Sequence, residues 1–368
     1  MLSVVSDTVV VRSAVSGDGR DRPPPTQGIR PSTPADAGAI VELLLQAGLR
    51  PNMEPRHMYW KYWQEREDWP GSRSFVLARG NELLAHAAVI PGSFLWAGRR
   101  VRVIHMIDWA ARASAPAAGV ALMKHVGRLT DALLAVGGSL QTLRILPHIG
   151  FRPYGMVTGY VRTLHPLRLF GGGAPVSWRV PLRCARSAFW ALTASSKEVA
   201  GWSARRLGPT ETHAVGSVMP YRIEEAASLE RSESLLAYML DCPIAPMALY
   251  AVEKEGRVRG YFLLASAPGQ VRIADCWLDT NDPFDWRALL LSAVRQARCY
   301  SGAAELAVWA SDPVLARCLE DCGFHARGSR PVQVLASKGF MLPDATLRVQ
   351  MLDSDAAFHH PGYPSFWA

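Results

Sequence analysis

The chain has 368 residues, 49% of them hydrophobic, and a formal net charge of +8 at pH 7. This length predicts two to three domains, and because no run of about 18 uncharged apolar residues occurs, a membrane-spanning helix is not expected. The positive charge permits an anionic cofactor, a nucleic acid or a membrane surface as partner. The arginines are spread along the chain rather than clustered with aromatic residues, so no DNA partner is expected.

Residues 1–28 are predicted to form a disordered tail, because their Gly, Asp, Arg and Pro content is typical of a loose segment. They lack the basic start and apolar core of a secretory signal, which favours a cytoplasmic protein. Cys318 and Cys322 are four residues apart on a predicted helix, with no matching His or Cys pair nearby. We therefore expect reduced thiols and no metal site.

A first globular unit is predicted over residues 29–164. Ser32 or Thr33 can cap its first helix, Pro34 suits the first turn, and apolar residues then repeat at helical spacing. The later elements, read from apolar periodicity, are a helix over 55–66, a hairpin over 74–90, a strand over 100–111, a helix over 117–130, a strand over 131–137, a helix over 140–148, and a strand over 156–163 that closes the unit.

A connector is predicted over 165–217, and it contains an amphipathic basic helix over 185–206. This helix either packs across both domains or makes weak peripheral contact with a membrane surface. A second unit is predicted over 218–340, followed by a C-terminal tail over 341–368. The elements of the second unit are a helix over 228–239, a hairpin over 248–264, a strand over 270–278, a helix over 285–298, a strand over 303–310, and a helix over 312–322.

The two units share landmarks at nearly one spacing. The hairpin SFVLARGNELLAHAAVI (74–90) has a counterpart in ALYAVEKEGRVRGYFLL (248–264), 174 residues later. The pair Gly150–Phe151 recurs as Gly323–Phe324, 173 residues later. Two landmarks that keep almost the same spacing predict a duplicated fold.

This order of elements resembles the GNAT (GCN5-related N-acetyltransferase) superfamily. IRPSTPADAGAIVELL is similar to that family's first strand and helix, HMIDWAARASAPAAGVALMKHV to its fourth strand and cofactor loop, and LPHIGFRPYG to the turn into its last strands. The segment MYWKYW and the double unit resemble GNAT-like proteins of bacterial polysaccharide and cell-envelope pathways. The resemblance implies an α/β (α+β) fold of two tandem GNAT-like units, each a mixed, mostly antiparallel sheet flanked by helices.

The resemblance places a cofactor loop at Ser114-Ala115-Pro116-Ala117-Ala118-Gly119, before a predicted helix. A helix N-terminus attracts phosphate through its unpaired N–H groups, and small residues let a diphosphate approach the backbone. The loop keeps the family's last small position, Gly119, but not its leading Arg, which Arg112 can replace. The resemblance thus implies acetyl-CoA or another acyl-CoA as co-substrate, without a metal. The predicted cofactor-binding residues are Trp109, Ala110, Ala111, Arg112, Ser114, Ala115, Ala117, Ala118, Gly119 and Val120.

The equivalent loop of the second unit, residues 280–287, has no glycine, two acidic residues and two large aromatic ones. Acidic side chains at a helix start satisfy the helix dipole themselves and repel a diphosphate. We therefore expect Asp282 or Asp285 to be an ordinary helix cap, and the second unit to be a degenerate half that binds no cofactor.

Acyl transfer requires a base for the attacking group and an acid for the leaving thiolate. Many relatives carry a Tyr as the acid four residues before the Gly of the Gly-Phe pair, where this chain has Leu146 and Leu319. The candidate catalytic bases lie on the strand over 100–111. They are Asp108, just before the expected divergence of strands, and His105, which titrates near neutral pH.

The predicted function is an acyl-CoA-dependent, most simply acetyl-CoA-dependent, N-acyltransferase. Its acceptor is an amine or hydroxyl of a small molecule or of a sugar or cell-envelope precursor. Two alternatives remain open at this point. One is a relative of the peptidoglycan transferases that use aminoacyl-tRNA, and the other is a non-catalytic binding protein that kept the fold.

Overall fold

The computed structural model describes residues 27–96, 99–171, 179–194, 199–219, 226–337, 340–341 and 346–358. Most of the predicted N-terminal tail, residues 1–26, and residues 359–368 of the predicted C-terminal tail lie outside this part. The strands are β1 (Gln27–Pro31), β2 (Ser74–Arg79), β3 (Glu82–Trp96), β4 (Arg99–Ala111), β5 (Ala132–Val136), β6 (Arg152–Thr163), β7 (Trp202–Leu207), β8 (Ala226–Leu229), β9 (Met247–Lys254), β10 (Arg257–Ala267), β11 (Gln270–Leu278), β12 (Glu305–Ala310), β13 (His325–Ala336) and β14 (Thr346–Arg348). The α-helices are α1 (Ala37–Gln46), α2 (Pro55–Met58), α3 (Pro116–Gly127), α4 (Leu140–Ile145), α5 (Arg179–Thr193), α6 (Glu233–Leu240), α7 (Pro283–Arg298) and α8 (Pro313–Asp321).

Local signals explain most helix limits. Thr33 begins a 3₁₀ turn that leads into α1, and the Asp36 carboxylate accepts the Thr33 amide at 2.8 Å. The helix predicted over 55–66 is shorter than expected, because α2 continues as a π-helical turn over Tyr59–Trp63. The helix predicted over 228–239 begins only at Glu233, since Ser232 caps it and residues 226–229 form β8.

The strands form one large mixed sheet whose order is nearly symmetric. The order is β1-β2-β3-β4-β5-β13-β6-β12-β11-β10-β9-β7, and β8 and β14 branch from β3. Within the main row, β4 pairs in parallel with β5, and β11 pairs in parallel with β12, whereas the other neighbours are antiparallel. The predicted mixed α/β architecture with a mostly antiparallel sheet is therefore confirmed. Two copies of one unit would produce this mirrored order, with the hairpins β2–β3 and β9–β10 at equivalent places.

The two halves exchange their last strands. β6 was expected to close the first unit, but it pairs with β12 and β13 of the second half and not with β5. In return, β13 pairs with β5 through Val332–Ala336. The expectation was wrong because period-2 alternation identifies a segment as a strand but does not identify the strands that it pairs with. The exchange makes the sheet continuous across both halves.

The predicted connector contains regular structure that differs from the expected helix over 185–206. The helix is α5, which lies earlier, and Gly201 (φ +80°) turns the chain into β7. β7 pairs with β9, as β1 pairs with β2 in the first half. The helix prediction failed at its C-terminal end because the alternation of Trp202–Leu207 was taken as helical amphipathicity.

One hydrophobic core joins the two halves. It combines Trp60, Val101 and Leu134 of the first half with Leu249 and Tyr261 of the second. Separate clusters lie under α3, under α1, and under α7 with α8. No helix in the described part of the chain is long and apolar enough to cross a membrane.

Candidate active site between strands β4 and β5

Strands β4 and β5 separate after a short parallel contact. They pair only where Val103–His105 face Ala132–Leu134. From Met106 onward, the edge of β4 that faces away from β3 has no strand partner within the described residues. A cavity of about 970 Å³ opens in this gap and extends towards β11, β12 and residues 354–358. The unpaired edge presents backbone N–H and C=O groups that an extended ligand can pair with.

A β-bulge bends β4 at the mouth of the gap. Ala87 lies opposite two residues, because His86 pairs with Ala110 while Ala88 pairs with Ile107. Asp108, one of the two residues opposite Ala87, has φ +46°. The buried His86 holds this unusual backbone, since its Nδ1 donates to the Asp108 carbonyl at 3.0 Å and its Nε2 accepts from Ser74 Oγ at 3.0 Å. Burial lowers the pKa of His86 to about 4, so the ring is neutral at pH 7.

The carboxylate of Asp108 is held by two buried neighbours. Lys61 Nζ and Tyr62 Oη each donate to Asp108 Oδ2 at 2.7 Å. Burial, followed by the nearby Asp108 charge, raises the pKa of Tyr62 well above its usual value, so its hydroxyl stays a donor. Both partners come from the MYWKYW segment. A buried ion pair with a tyrosine donor primarily fixes the position of Asp108.

His105 also lines the cavity, and its hydrogen bonding is that expected of a general base. Its Nδ1 lies 3.0 Å from the carbonyl oxygen of Asp353. A carbonyl only accepts, so Nδ1 carries the proton and Nε2 of the neutral ring is left with a lone pair. Nε2 makes no hydrogen bond within the described part of the chain. Burial lowers the pKa of His105, which keeps the ring neutral at pH 7.

The predicted cofactor loop leads into α3, as expected, and the N-cap residue Ala115 makes no side-chain cap hydrogen bond. Eight of the twelve predicted site residues line the cavity, namely His105, Asp108, Trp109, Ala110, Ala111, Arg112, Gly119 and Val120. The other four do not line it, namely Ser114, Ala115, Ala117 and Ala118. Ala118 is instead buried in the core under α3.

Gly119 is the contact point between α3 and β4. A Cβ at this position would lie 3.2 Å from Ala111 Cβ and 3.3 Å from Trp109 Nε1. The Trp109 indole donates to the Gly119 carbonyl at 3.0 Å. The small residue therefore allows the first turn of α3 to lie close against the open edge of β4.

Arg112 lies at the outer end of the cavity and is already bound. Its Nε donates to the Leu83 carbonyl at 2.8 Å and lies 3.2 Å from Glu82 Oε1, and its Nη2 lies 3.8 Å from Glu42 Oε1. Two carboxylates beside this guanidinium oppose its predicted role as the replacement for the family's leading Arg.

One part of the cavity wall is apolar. Leu146, at the position where many relatives carry a Tyr, is buried and lines the cavity together with Met123 of α3, Leu134, Ile145 and Phe151. Within the described residues, the wall at this position therefore offers no hydroxyl to the leaving group.

Several lining residues were not anticipated. Arg272 of β11, Trp309 of β12 and residues 354–358 reach the inner end of the cavity. Residues 354–358 were assigned to a tail, and Arg272 to the second unit, because the sequence shows no signal that brings them beside His105.

The equivalent gap in the second half is filled. Gln350 bridges the backbone of Cys276 on β11, accepting from its N–H at 2.9 Å and donating to its C=O at 2.9 Å. Ser311, just after β12, bonds the Leu347 carbonyl at 2.7 Å and the Val349 amide at 2.8 Å. A cavity of only about 30 Å³ is left there. Asp282 caps α7 through the Phe284 amide, which agrees with one of the two expected caps.

Comparison with known proteins relates this geometry to a fold. No protein-family model matches the sequence, and no curated protein matches it. A GCN5-related N-acetyltransferase from Anabaena variabilis is similar in structure, with TM-score 0.54, 11% identity, and coverage of 84% of this chain and 72% of that one. A protein of unknown function from Enterococcus faecalis, described as a probable N-acyltransferase, gives TM-score 0.54 and 13% identity with the same coverage.

N-myristoyltransferase from Saccharomyces cerevisiae, solved with bound myristoyl-CoA and inhibitors, is also similar. Its TM-score is 0.58 at 15% identity, and the match covers 86% of this chain and 82% of that one. At these identities the comparisons establish the fold, which is that of the GCN5-related N-acetyltransferases. Within the described residues, no group of three or more His, Cys, Asp or Glu side chains is placed to hold a metal ion.

Proposed function

We propose that this chain is an acyl-CoA-dependent N-acyltransferase whose active site is the cavity between β4 and β5. The observation that carries the proposal is the divergence of two parallel strands beside the N-terminus of α3, in a fold shared with acyltransferases. Acetyl-CoA is the simplest donor, and an amine of a small molecule or cell-envelope precursor is the acceptor.

The chain's own residues fit an acyl-CoA. The unpaired edge of β4 from Met106 can pair with the amide groups of an extended pantetheine arm. The first turn of α3 reaches the same cavity through Pro116, Gly119 and Val120, and its N-cap residue makes no side-chain cap hydrogen bond, so the positive end of the helix dipole is available to a diphosphate. The missing Cβ of Gly119 keeps this helix end close to the strand.

The bound thioester supplies an electrophilic carbonyl. His105 Nε2 accepts the proton that the amine loses as its nitrogen bonds to the acyl carbon and the carbon–sulfur bond breaks. That proton then passes to the released thiolate, directly or through water, because Leu146 has none to give. Asp108 is the second candidate base, but Lys61 and Tyr62 already occupy its Oδ2, so we assign it to fixing the bulge.

Two measurements test the proposal. Calorimetry with acetyl-CoA is expected to show binding, and release of free thiol is expected with an accepted amine. His105→Asn keeps a donor for the Asp353 carbonyl but removes the base, so we expect about 10²-fold slower turnover with nearly unchanged acetyl-CoA affinity. His148→Asn, an exposed histidine outside the cavity, is the control and should retain full turnover.

The outcomes separate the alternatives. Absence of acetyl-CoA binding would remove the proposal and favour a transferase that uses another donor, such as aminoacyl-tRNA. Binding without turnover on any amine would favour the non-catalytic binding protein. Full turnover in His105→Asn would transfer the role of base to Asp108.

A further inference from the structure

A buried guanidinium lines the inner end of the cavity. Arg272 of β11 is 8% exposed. Its Nε donates to Gln270 Oε1 at 2.6 Å, and its Nη1 donates to the carbonyls of Ala356 and Phe358 at 2.9 and 2.5 Å. Its Nη2 makes no hydrogen bond within the described part of the chain. The N–H donors of a buried cation normally have hydrogen-bond acceptors. Nη2 has none among the described residues, so a ligand in the cavity is left to supply one.

Two carboxylates lie near Arg272 without forming an ion pair with it in the described part of the chain. Asp355 also lines the cavity, and Glu305 accepts from Gln270 Nε2 at 2.6 Å. Burial lowers the pKa of Arg272 to about 10, although the charges of Glu305 and Asp355 act in the opposite direction, and the group is still cationic at pH 7.

Arg272 and His105 lie on either side of one short segment. His105 Nδ1 donates to the carbonyl of Asp353, and Arg272 Nη1 donates to the carbonyl of Ala356. Three residues of extended chain span at most about 11 Å, so these two carbonyls are no farther apart than that. Both side chains line the same cavity. They also occupy equivalent places in the two halves, each three residues before an aspartate, Asp108 or Asp275.

We infer that the acceptor is a small amine that carries an anionic group, a carboxylate or a phosphate, which Arg272 Nη2 binds while the amine lies at His105 Nε2. This inference rests on the proposed function and specifies its substrate class. Because Nη1 is occupied by backbone carbonyls, the anion is held through one guanidinium nitrogen. An acceptor without the charge would leave the buried cation unsatisfied, and such sites reject neutral analogues strongly.

The test uses matched acceptor pairs with acetyl-CoA and mass-spectrometric detection. One pair of mixtures is the twenty L-amino acids against the corresponding L-amino acid amides, and the other is phosphoethanolamine against ethanolamine. We expect acetylation in a charged member and at least about 30-fold less in its neutral partner. The pair that responds tells a carboxylate from a phosphate. Equal rates within both pairs, or no acetylation of any charged member, would overturn the inference.

Variants separate binding of the anion from folding. Arg272→Met should raise KM for the charged acceptor about 30-fold or more, with a smaller change in kcat and unchanged acetyl-CoA affinity. Arg272→Lys keeps the charge and should recover part of the loss. Arg128→Met, an exposed arginine outside the cavity, is the matched control. If acetyl-CoA itself fails to bind the wild type, the proposed function is wrong; if it binds but Arg272→Met leaves KM unchanged, only this inference is wrong.

A second, independent observation concerns the outer face of α5. Its inner face packs on the exchanged strands, where Cys184 and Ser187 are buried and Trp190 stacks on His325 with ring centroids 3.9 Å apart. Its outer face exposes Leu182, Phe189 and Leu192 by 62%, 63% and 86%. The helix sequence contains three arginines and no acidic residue.

We propose that this outer face binds an anionic phospholipid surface. The helix sequence is basic without acidic residues, which matches a negative surface, and its exposed Leu and Phe side chains suit the interface of a bilayer. A second copy of the chain would bring together two helices of the same net charge. The charge therefore favours lipid over self-association.

Cosedimentation with vesicles tests this proposal. The wild type should bind vesicles of phosphatidylcholine with phosphatidylglycerol more tightly than phosphatidylcholine alone, and added salt should weaken binding. Phe189→Ser/Leu192→Ser should lose at least about tenfold in affinity, whereas Phe284→Ser, an exposed phenylalanine on α7, should not. Equal binding of both vesicle types, or a dimer in light scattering that only the double variant dissociates, would overturn the proposal.

Discussion

At the scale of single residues, the active-site side of β4 depends on a few buried polar groups that support one unusual backbone conformation. Asp108 has a positive φ, which few residues other than glycine adopt, although Asp and Asn tolerate it. Its carbonyl is held by His86 and its carboxylate by Lys61 and Tyr62. The same residue thus forms both the bulge and the ion pair with Lys61.

Asp108→Asn is expected to lower the free energy of unfolding by about 3–5 kcal/mol, because it leaves a buried ammonium without its carboxylate. Asparagine accepts the positive φ, so backbone strain does not contribute. The measurement is urea unfolding. Lys61→Met/Asp108→Asn should recover part of the loss. Glu230→Gln breaks the exposed pair with Arg100 and should cost about 1 kcal/mol or less. A similar small cost for Asp108→Asn would contradict the structural role.

His86 gives the fold a pH-dependent stability. Its pKa lies at about 4 in the folded chain, against 6.5 ordinarily, because burial disfavours the charged ring. The unfolded chain therefore binds a proton that the folded chain does not, and stability is lost as pH falls from about 6.5 towards about 4. The pKa gap corresponds to about 3 kcal/mol.

Urea unfolding between pH 7.5 and 4.5 measures this effect. The free energy of unfolding is plotted against pH for the wild type and for His86→Asn, and the two slopes are compared. His86→Asn keeps a donor for the Asp108 carbonyl and cannot titrate, so its stability should depend less steeply on pH than that of the wild type. Identical slopes for both proteins would show that His86 does not contribute.

At the scale of elements, the contact between α3 and β4 places the helix N-terminus at the strand edge. The contact requires a residue without a side chain at Gly119, where a Cβ would approach Trp109 and Ala111 within 3.2–3.3 Å. The family resemblance suggested a glycine for access of a diphosphate. The structure adds a packing reason that does not depend on any ligand.

Gly119→Asp should abolish acyl-CoA binding, because it adds both bulk at the strand contact and negative charge at the helix end. Gly119→Ala should weaken binding less, since a neighbour must move by only a few tenths of an ångström. Asp285→Ala, at the equivalent helix of the second half, is the control and should bind normally. Calorimetry with acetyl-CoA measures all three. Equal losses from Gly119→Asp and Asp285→Ala would mean that the assignment of the binding half is wrong.

At the scale of the whole molecule, two similar halves share one sheet but have different gaps. The exchange of β6 and β13 means that neither half completes its sheet alone. In the first half the gap between the parallel strands is open, and in the second half residues 347–350 fill it. The asymmetry is produced by a segment that follows both halves in sequence.

We therefore expect one acyl-CoA site per chain. Calorimetric titration should give a stoichiometry of one. Gln350→Ala leaves the buried N–H and C=O of Cys276 without partners and should cost about 1–3 kcal/mol of unfolding free energy. It should leave acyl-CoA affinity unchanged, because this residue lies outside the open cavity. A stoichiometry of two would contradict the filled gap.

The sequence by itself determined the elements and much of the site on β4. Period-2 alternation identified the hairpins and β4, and helical spacing identified α3 and α7. These features depend on neighbours within a few residues, so local patterns are sufficient to find them. The interest in Gly119 and in the missing Tyr at Leu146 came from the family resemblance and not from a local pattern.

Only the tertiary structure decided which strands are neighbours and which charges meet. The exchange of β6 with β13, the Lys61–Asp108 pair, the placement of Arg272 near His105, and the filling of the second gap by residues 347–350 join positions far apart in the chain. Alternation within a strand fixes which face is buried and leaves its hydrogen-bonding edges unspecified. Partner choice at those edges is set by packing of the whole sheet, and a local pattern does not encode it.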